Sequence, residues 1–364
     1  MVTPSRLRLA RERRGLTLTG LAGMSGVPVH RLTSYENARA VPDGSVVRAL
    51  AAALDFPVPF LTGDEVEEIP AEAVAFRALS STSLRKQRAV RSQAALAVEL
   101  NSWLDERLTL PSPDVPTHGY PDAEAAAELV RGRWGLGRAP APNTVHLLES
   151  RGVRVFSLDS EHREVDAFSL WRDGVPYVFL NTAKSGERGR FDAAHELGHL
   201  VMHGRDRALN TPEAEREANR FASALLMPRA DVLARMPSGA HVDQILSARP
   251  VWRVSAMALA HRLHDLGLLT DDQYRSACRR LAELGYRSAE PGGIPRETSQ
   301  VLPKVLSALR ARGLPPARVA AALHIPLTEL NTLVFGLALT PRPGGGRGSA
   351  AGRPVLRVLP SPAE

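Results

Sequence analysis

The sequence is poor in cysteine and in long apolar runs, and its start lacks the features of an export signal. Cys278 is the only cysteine in 364 residues, which excludes a disulfide framework and a cysteine zinc knuckle. No run approaches the roughly 18 apolar residues of a membrane span. The N-terminus is charged from Arg6 onward and has no apolar core. These absences predict a soluble, cytoplasmic protein with no membrane partner.

The charge that is present is mildly basic and unevenly distributed. The chain has 46 Lys and Arg against 39 Asp and Glu, which gives a net charge of +7. Residues 1–62 contain eight arginines and four acidic residues, and an acidic stretch follows at 63–68. At roughly 150 residues per domain the length predicts two or three domains. The basic first segment is therefore the candidate for contact with nucleic acid.

Helix start and stop signals in residues 1–62 predict five short helices. Thr17 is placed to cap a helix over 18–25 that Gly26 ends, and Pro28 opens the next helix. Two helices joined by a glycine-containing turn form a helix-turn-helix unit, whose second helix enters the major groove. The predicted DNA contacts are Val29, His30, Thr33 and Ser34 at base edges, with Arg31 and Arg39 near phosphates.

The string LAGMSGVPVHRLTSYENARAVP at 21–42 resembles the XRE family of phage-repressor-like DNA-binding domains. Gly26 matches the turn glycine of the family, and Tyr35 and Glu36 match the pair that ends its third helix. The resemblance implies binding to a double-stranded DNA operator, and a homodimer if that operator is palindromic. The alternative is a small helical bundle that mediates dimerisation or protein docking without DNA.

A metal-binding motif follows in the middle of the chain, as His195-Glu196-Leu197-Gly198-His199. Two residues four apart on a helix differ by about 40° around the axis and about 6 Å along it, so both imidazoles project from one face. Neutral nitrogen ligands suit zinc, which also needs a third protein ligand and an open position for water. Glu196 can take a proton from that water and return it to a leaving amine.

The third metal ligand is expected from a second helix that begins after Thr211 and ends at Pro228. Three acids compete: Glu213, Glu215 and Glu217. Glu215 lies nearest to the buried stripe, about 60° from its centre, so it is the predicted ligand and Glu217 the alternative. Asn219 is placed one turn further on the same face to support the site. His203 is about 12 Å along the axis from His195 and is expected to support the site rather than bind the metal.

The strings RFDAAHELGHLVMH (190–203) and EREANRFASALLMP (215–228) resemble the ImmA/IrrE family of zinc metallopeptidases. The resemblance extends over roughly residues 120–285 and implies a gluzincin-like fold. It implies one Zn²⁺ per chain held by His195, His199 and Glu215, with Glu196 as the catalytic base. It also implies cleavage of a regulatory protein, often a repressor.

Apolar alternation predicts strands at 153–158, 167–171 and 177–180. The strand at 177–181 is expected to be the edge along which an extended substrate adds.

Two questions stay open in the sequence. The donor that stabilises the tetrahedral oxyanion has four candidates: Tyr177, His203, His241 and Arg190. The spacing of apolar residues over 252–267 predicts an amphipathic helix pair. The helical segment at 299–339 is either a second helix-turn-helix or a packing module, and its few basic residues favour packing.

The sequence thus predicts a mostly helical α+β protein, with a five-helix helix-turn-helix bundle, a metallopeptidase domain with a small antiparallel sheet, and a helical C-terminal segment. The predicted boundaries are 1–66 for the DNA-binding domain, 67–121 for a helical connector and Pro-rich linker, 122–285 for the peptidase, 296–340 for the C-terminal module and 341–364 for a disordered tail. The predicted function is a DNA-binding transcriptional regulator with a zinc metalloendopeptidase that cleaves a repressor or itself. The alternative is a regulator whose metal site is structural or sensory.

Overall fold

The computed structural model describes residues 1–71, 83–117, 122–159, 165–204, 211–287 and 290–338. Within these ranges the chain forms 17 helices and three strands. The first six helices are α1 (Pro4–Arg13), α2 (Leu18–Ser25), α3 (Val29–Glu36), α4 (Gly44–Leu54), α5 (Val58–Leu61) and α6 (Leu84–Asp105). The middle of the chain holds α7 (Ala123–Arg133), α8 (Thr144–Ser150), β1 (Arg154–Ser157), β2 (Ala167–Arg172), β3 (Val175–Leu180), α9 (Gly186–Met202) and α10 (Pro212–Leu226). The remaining helices are α11 (Arg229–Arg235), α12 (Val242–Trp252), α13 (Ala256–Asp265), α14 (Asp271–Glu283), α15 (Val301–Ala311), α16 (Pro316–Ala322) and α17 (Leu327–Val334).

The mostly helical α+β class is confirmed, and helices α1 to α5 begin and end close to the predicted positions. Local chemistry sets these ends. The Thr17 hydroxyl accepts a hydrogen bond from the backbone of Gly20, and Gly26 ends α2 with a φ of 69°. The Asp43 carboxylate caps α4 in the same way. Leucines of these helices are fully buried and form the core of the bundle: Leu7, Leu21, Leu32, Leu50 and Leu54.

The three strands form one sheet in the order β1-β3-β2. β3 pairs in parallel with β1, where Arg154 lies opposite Tyr177, and antiparallel with β2. Two expectations were therefore wrong: the sheet is mixed rather than antiparallel, and strand 177–181 is central rather than an edge. The physical reason is that β3 pairs with β1 as well as with β2 and is buried on both faces, as strands between two neighbours usually are.

A layer of helices covers the sheet and carries the metal-binding motif. α9 packs on β2 and β3, and α10 packs on α9 and α7. The indole of Trp171 on β2 donates a hydrogen bond to the backbone oxygen of Leu200 on α9, at 3.2 Å. The HExxH segment of α9 therefore lies directly beside β2.

Residues 290–299, which we term the strap, run across the starts of α8 and α9. The backbone of Ile294 donates to the Glu187 carboxylate at 2.6 Å. Glu297 forms a buried ion pair with Arg190 at 2.7 Å and accepts from the backbone of Thr144 at 2.6 Å. The strap thus anchors the C-terminal helices to the layer that carries the metal-binding motif.

A buried ion-pair cluster, which we term the Arg13–Glu329 clamp, joins the first and last helices of the described chain. The Arg13 guanidinium contacts Glu329 on α17 and Asp159 after β1, each at 2.7 Å. Arg14 donates a second hydrogen bond to Glu329. Glu329 in the first turn of α17 is therefore buried against α1, which favours the packing interpretation of this segment over a second helix-turn-helix.

Some expectations differ from the structure or fall outside it. Residues 252–267 do not form a helix pair, because α12 ends at Trp252 and Arg253 adopts a left-handed conformation with φ of 57°. The predicted tail at 341–364 and the first part of the connector, at 72–82, lie outside the described residues. None of the helices in the described ranges is both long enough and apolar enough to cross a membrane.

Candidate metal centre and DNA-contacting helix

The metal centre is built where α9 and α10 pass unusually close to each other. Gly198, inside the HExxH motif, faces α10 at the crossing. A Cβ atom at this position would lie 3.2 Å from the Cα of Ala218 and 3.1 Å from the ring of Phe221. Such distances are shorter than most contacts of a Cβ atom, so a side chain at 198 would push the two helices apart, and glycine at 198 and alanine at 218 permit the close approach. The crossing brings a carboxylate of α10 to the two histidines of α9.

His195, His199 and Glu215 meet at this crossing. The two Nε2 atoms lie 3.1 Å apart. The Glu215 carboxylate oxygens lie 3.4 Å from Nε2 of His195 and 3.2 Å from Nε2 of His199. Both histidines are buried, while Glu215 is partly exposed. Ligand atoms of three residues from two helices therefore form a compact cluster, which we term the triangle.

The triangle fits a tetrahedral cation. Zinc binds imidazole nitrogen at about 2.0–2.1 Å, which places the atoms of one tetrahedral face about 3.3–3.4 Å apart. The separation of the two Nε2 atoms, and the distance from each of them to the nearer Glu215 oxygen, lie close to that value. Neither Glu215 oxygen has a hydrogen-bond partner of good geometry among the described residues, although both are buried. A buried carboxylate in this condition suits a metal ligand.

Neighbouring groups prepare two of these ligands. Nδ1 of His195 lies 3.1 Å from the Asn219 side-chain oxygen, which can only accept, so the imidazole donates from Nδ1 and keeps the Nε2 lone pair. Glu215 faces the Nε2 atoms of both rings through its carboxylate, which binds a metal in its ionised form.

Glu196 follows the ligand His195 directly in α9 and is held by the sheet. Its carboxylate accepts a hydrogen bond from the hydroxyl of Ser169 on β2, at 2.7 Å. Both side chains are buried. A carboxylate next to a metal ligand in an HExxH helix has the chemistry of a general base toward metal-bound water.

Helix α3 of the N-terminal bundle, together with the residues that follow it, presents most of the predicted DNA contacts to solvent. The exposed ones are Val29, His30, Arg31 and Arg39. Thr33 and Ser34 are half-buried, and their hydroxyls donate to backbone oxygens of their own helix at 3.0 and 2.9 Å. Those two hydroxyls are engaged within the helix, so the exposed face of α3 is built mainly from its first three residues, and Arg39 lies just beyond the end of the helix.

Comparison with protein families identifies both parts of the chain. Residues 5–62 match the family model of a helix-turn-helix domain. Residues 148–264 match the peptidase-family model of an IrrE N-terminal-like domain. The chain therefore combines a helix-turn-helix domain with an IrrE N-terminal-like domain. It is a DNA-binding regulator that carries a peptidase-family domain.

The IrrE N-terminal-like domain begins within α8 and ends within α13, so it includes the sheet, α9, α10 and the whole triangle of ligand atoms. No curated protein matches the chain at significant similarity. The function must therefore be argued from the site itself.

Two acids of α10 that competed with Glu215 lie elsewhere in the IrrE N-terminal-like domain. Glu213 is exposed in the first turn. Glu217 points to His203 at the end of α9, with 3.0 Å between Oε2 and Nε2. His203 in turn lies 3.2 Å from Nδ1 of His199. Neither acid joins the triangle, and His203 lies behind His199 rather than beside it.

Three of the four candidate oxyanion donors lie away from the triangle. Tyr177 is buried on β3 near Asn101, where burial raises the pKa of its phenol to about 12. Arg190 is committed to Glu297 at the strap. His241 caps the start of α12. His203 alone touches the site. It contacts Nδ1 of His199 rather than the Nε2 atom that belongs to the triangle.

Ser169 is the site residue that the sequence did not reveal. It lies in β2 between Phe168 and Leu170 and is buried. A single hydroxyl inside an apolar strand was the available signal, since a buried polar group needs a partner. The sequence does not show that this partner is Glu196, because the contact joins residues 27 positions apart.

Proposed function

We propose that this chain is a transcriptional regulator whose IrrE N-terminal-like domain is a zinc-dependent endopeptidase that cleaves a regulatory protein, either a repressor or the chain itself. The observation that carries the proposal is the triangle of His195, His199 and Glu215, with Glu196 next to His195 in the same helix. The helix-turn-helix domain in the same chain argues that the cleaved protein acts in gene regulation.

Each residue has a distinct role in the proposed reaction. His195, His199 and Glu215 would hold one Zn²⁺, which when bound supplies an acidified water and polarises the scissile carbonyl. Glu196 takes a proton from the attacking water and gives it to the leaving nitrogen. Ser169 keeps the Glu196 carboxylate in position through its hydrogen bond.

An extended substrate needs an unpaired strand edge beside Glu196. In the described sheet that edge is β2, since β3 is paired on both sides. Ser169 of β2 contacts Glu196 directly. We therefore place the substrate backbone along the outer edge of β2, where main-chain hydrogen bonds would bind it with little regard to side chains.

The Arg31→Ala variant is expected to bind DNA more weakly and to lower the slope of log K against log salt concentration by about 1, because each phosphate contact releases counterions. The measurement is the fluorescence anisotropy of a short random-sequence duplex over a range of salt concentrations. Arg279→Ala, which removes an exposed arginine on α14, is the matched control and should keep the wild-type slope. A flat salt dependence for the wild type would instead support a protein-docking role for residues 1–62.

The His195→Ala variant is expected to lose its zinc. Structural zinc sites bind with roughly 10–16 kcal/mol, so one ligand contributes about 3–4 kcal/mol and its loss weakens binding about 10²–10³-fold. Metal analysis after purification should give one zinc per chain for the wild type and almost none for the variant. His264→Ala, a surface histidine paired with Asp271, serves as the control.

The same pair of proteins tests the peptidase assignment. Cells that express the wild type or His195→Ala are compared by labelling all protein N-termini. New N-termini that appear only with the wild type identify the cleaved protein. Identical sets of termini, from a wild type that contains zinc, would contradict the proposed peptidase.

A further inference from the structure

A hydrogen-bonded chain leads from α10 to the metal centre through its far side. Oε2 of Glu217 lies 3.0 Å from Nε2 of His203, and Nδ1 of His203 lies 3.2 Å from Nδ1 of His199. Both histidines are buried. The chain starts at a carboxylate, passes through one imidazole and ends on a residue of the triangle.

The chemistry of the three groups fixes the direction of this chain. An ionised carboxylate can only accept, so the His203 ring carries its proton on Nε2 and donates it to Glu217. Nδ1 of the neutral His203 ring is then an acceptor, and it must receive a proton from Nδ1 of His199. That leaves Nε2 of His199 with a lone pair directed at the triangle, which is the form that binds a metal.

The opposite arrangement is disfavoured at both contacts. A proton on Nδ1 of His203 would leave its Nε2 lone pair facing the carboxylate oxygen of Glu217. It would also make Nδ1 of His199 the acceptor and put the His199 proton on Nε2, inside the triangle. The negative charge of Glu217 therefore selects, through His203, the tautomer of His199.

We propose that Glu217 and His203 are positioning residues that set the tautomer and basicity of His199 and thereby tighten metal binding. The inference rests on the proposed zinc site. It also explains why two residues of α10 support the two histidines in different ways. Asn219 accepts from His195 with a neutral oxygen. Glu217 is charged and acts on His199 through the ring of His203.

The test is the zinc affinity of variants, measured by competition with a chromophoric chelator. His203→Phe keeps a ring but removes both nitrogens, and it is expected to raise the zinc dissociation constant roughly 10–100-fold, the range found for groups that support metal ligands. Glu217→Gln keeps the volume and an acceptor oxygen but removes the charge, so about a tenfold increase is expected.

A matched control removes a histidine–carboxylate pair away from the site. Asp265→Asn breaks the exposed contact with His261 on α13, at 3.0 Å, and should leave zinc affinity unchanged. The visible absorption bands of Co²⁺ bound in place of zinc should shift in both test variants, because His199 becomes a weaker donor. A purely structural role for His203 would lower stability without shifting these bands.

The outcomes separate this inference from the proposed function. A wild type that takes up no zinc contradicts the metal site itself. A wild type that binds zinc, with His203→Phe and Glu217→Gln within about twofold of its affinity and with unshifted Co²⁺ bands, overturns only the role of the two positioning residues. If His203→Phe does not fold, Glu217→Gln decides alone, since it changes neither volume nor shape.

Discussion

Replacing Glu196 with glutamine is expected to slow hydrolysis about 10²–10⁴-fold, the usual contribution of a general acid–base group. Glutamine has nearly the same volume and can still accept the hydrogen bond of Ser169, but it cannot take a proton from water. Zinc content should stay at one ion per chain, because Glu196 is not part of the triangle. The measurement is the rate at which the new N-termini appear, with purified zinc-loaded enzyme and the protein identified in cells.

Glu213→Gln is the matched control for this experiment, since Glu213 is exposed on α10 and should be dispensable.

The result for Glu196→Gln also distinguishes the proposed peptidase from a metal site that only senses zinc. In the sensory case zinc changes the affinity for DNA, no protein is cut, and Glu196→Gln behaves as the wild type in a zinc titration of DNA binding. Cleavage by Glu196→Gln at the wild-type rate would contradict the assignment of Glu196 as the catalytic base.

Replacing Glu329 with alanine is expected to lower the free energy of unfolding by about 3–5 kcal/mol, as when one partner of a buried ion pair is removed. Burial lowers the pKa of Arg13, but Glu329 and Asp159 outweigh it and the pKa is raised, so the guanidinium stays charged. The variant would leave that charge buried with Asp159 as its remaining carboxylate partner in the clamp. Urea unfolding at neutral pH, followed by circular dichroism, measures the change.

Glu283→Ala is the control for the Glu329 prediction, because it breaks an exposed pair with Arg280 that should contribute less than about 1 kcal/mol. Simultaneous replacement of Arg13, Arg14, Asp159 and Glu329 with leucine provides a second comparison. Apolar replacement of a whole buried cluster is often neutral, so this variant should recover much of the stability. A loss of stability for Glu329→Ala as small as that of Glu283→Ala would show that the clamp contributes little.

The sequence predicted the N-terminal bundle well because its signals are local. Caps such as Thr17 and stops such as Gly26 act within one turn, so the chain itself contains the helix ends. The metal-binding motif was visible for the same reason, since His195 and His199 are one helical turn apart. Glu215 was predicted from the buried face of its own helix, and the structure brings it to both histidines.

Features that depend on distant parts of the chain were missed. The central position of β3 follows from pairing with β1, and the Ser169–Glu196 contact follows from the packing of α9 on the sheet. Periodicity on one element gives no information about its neighbours in space. The clamp shows the same limit, because the sequence around Arg13 looks like an ordinary basic helix.

The clamp also has a consequence for the order of events during protein synthesis. Arg13 and Glu329 are separated by 316 positions in the chain. At about 5–20 residues per second, the ribosome adds Glu329 some 15–60 s after Arg13. The helix-turn-helix bundle has left the exit tunnel by then and can fold, but Arg13 in its first helix still lacks Glu329 as a partner. A nascent chain therefore exposes Arg13, which the folded protein buries, until Glu329 has been added and the clamp between α1 and α17 can form.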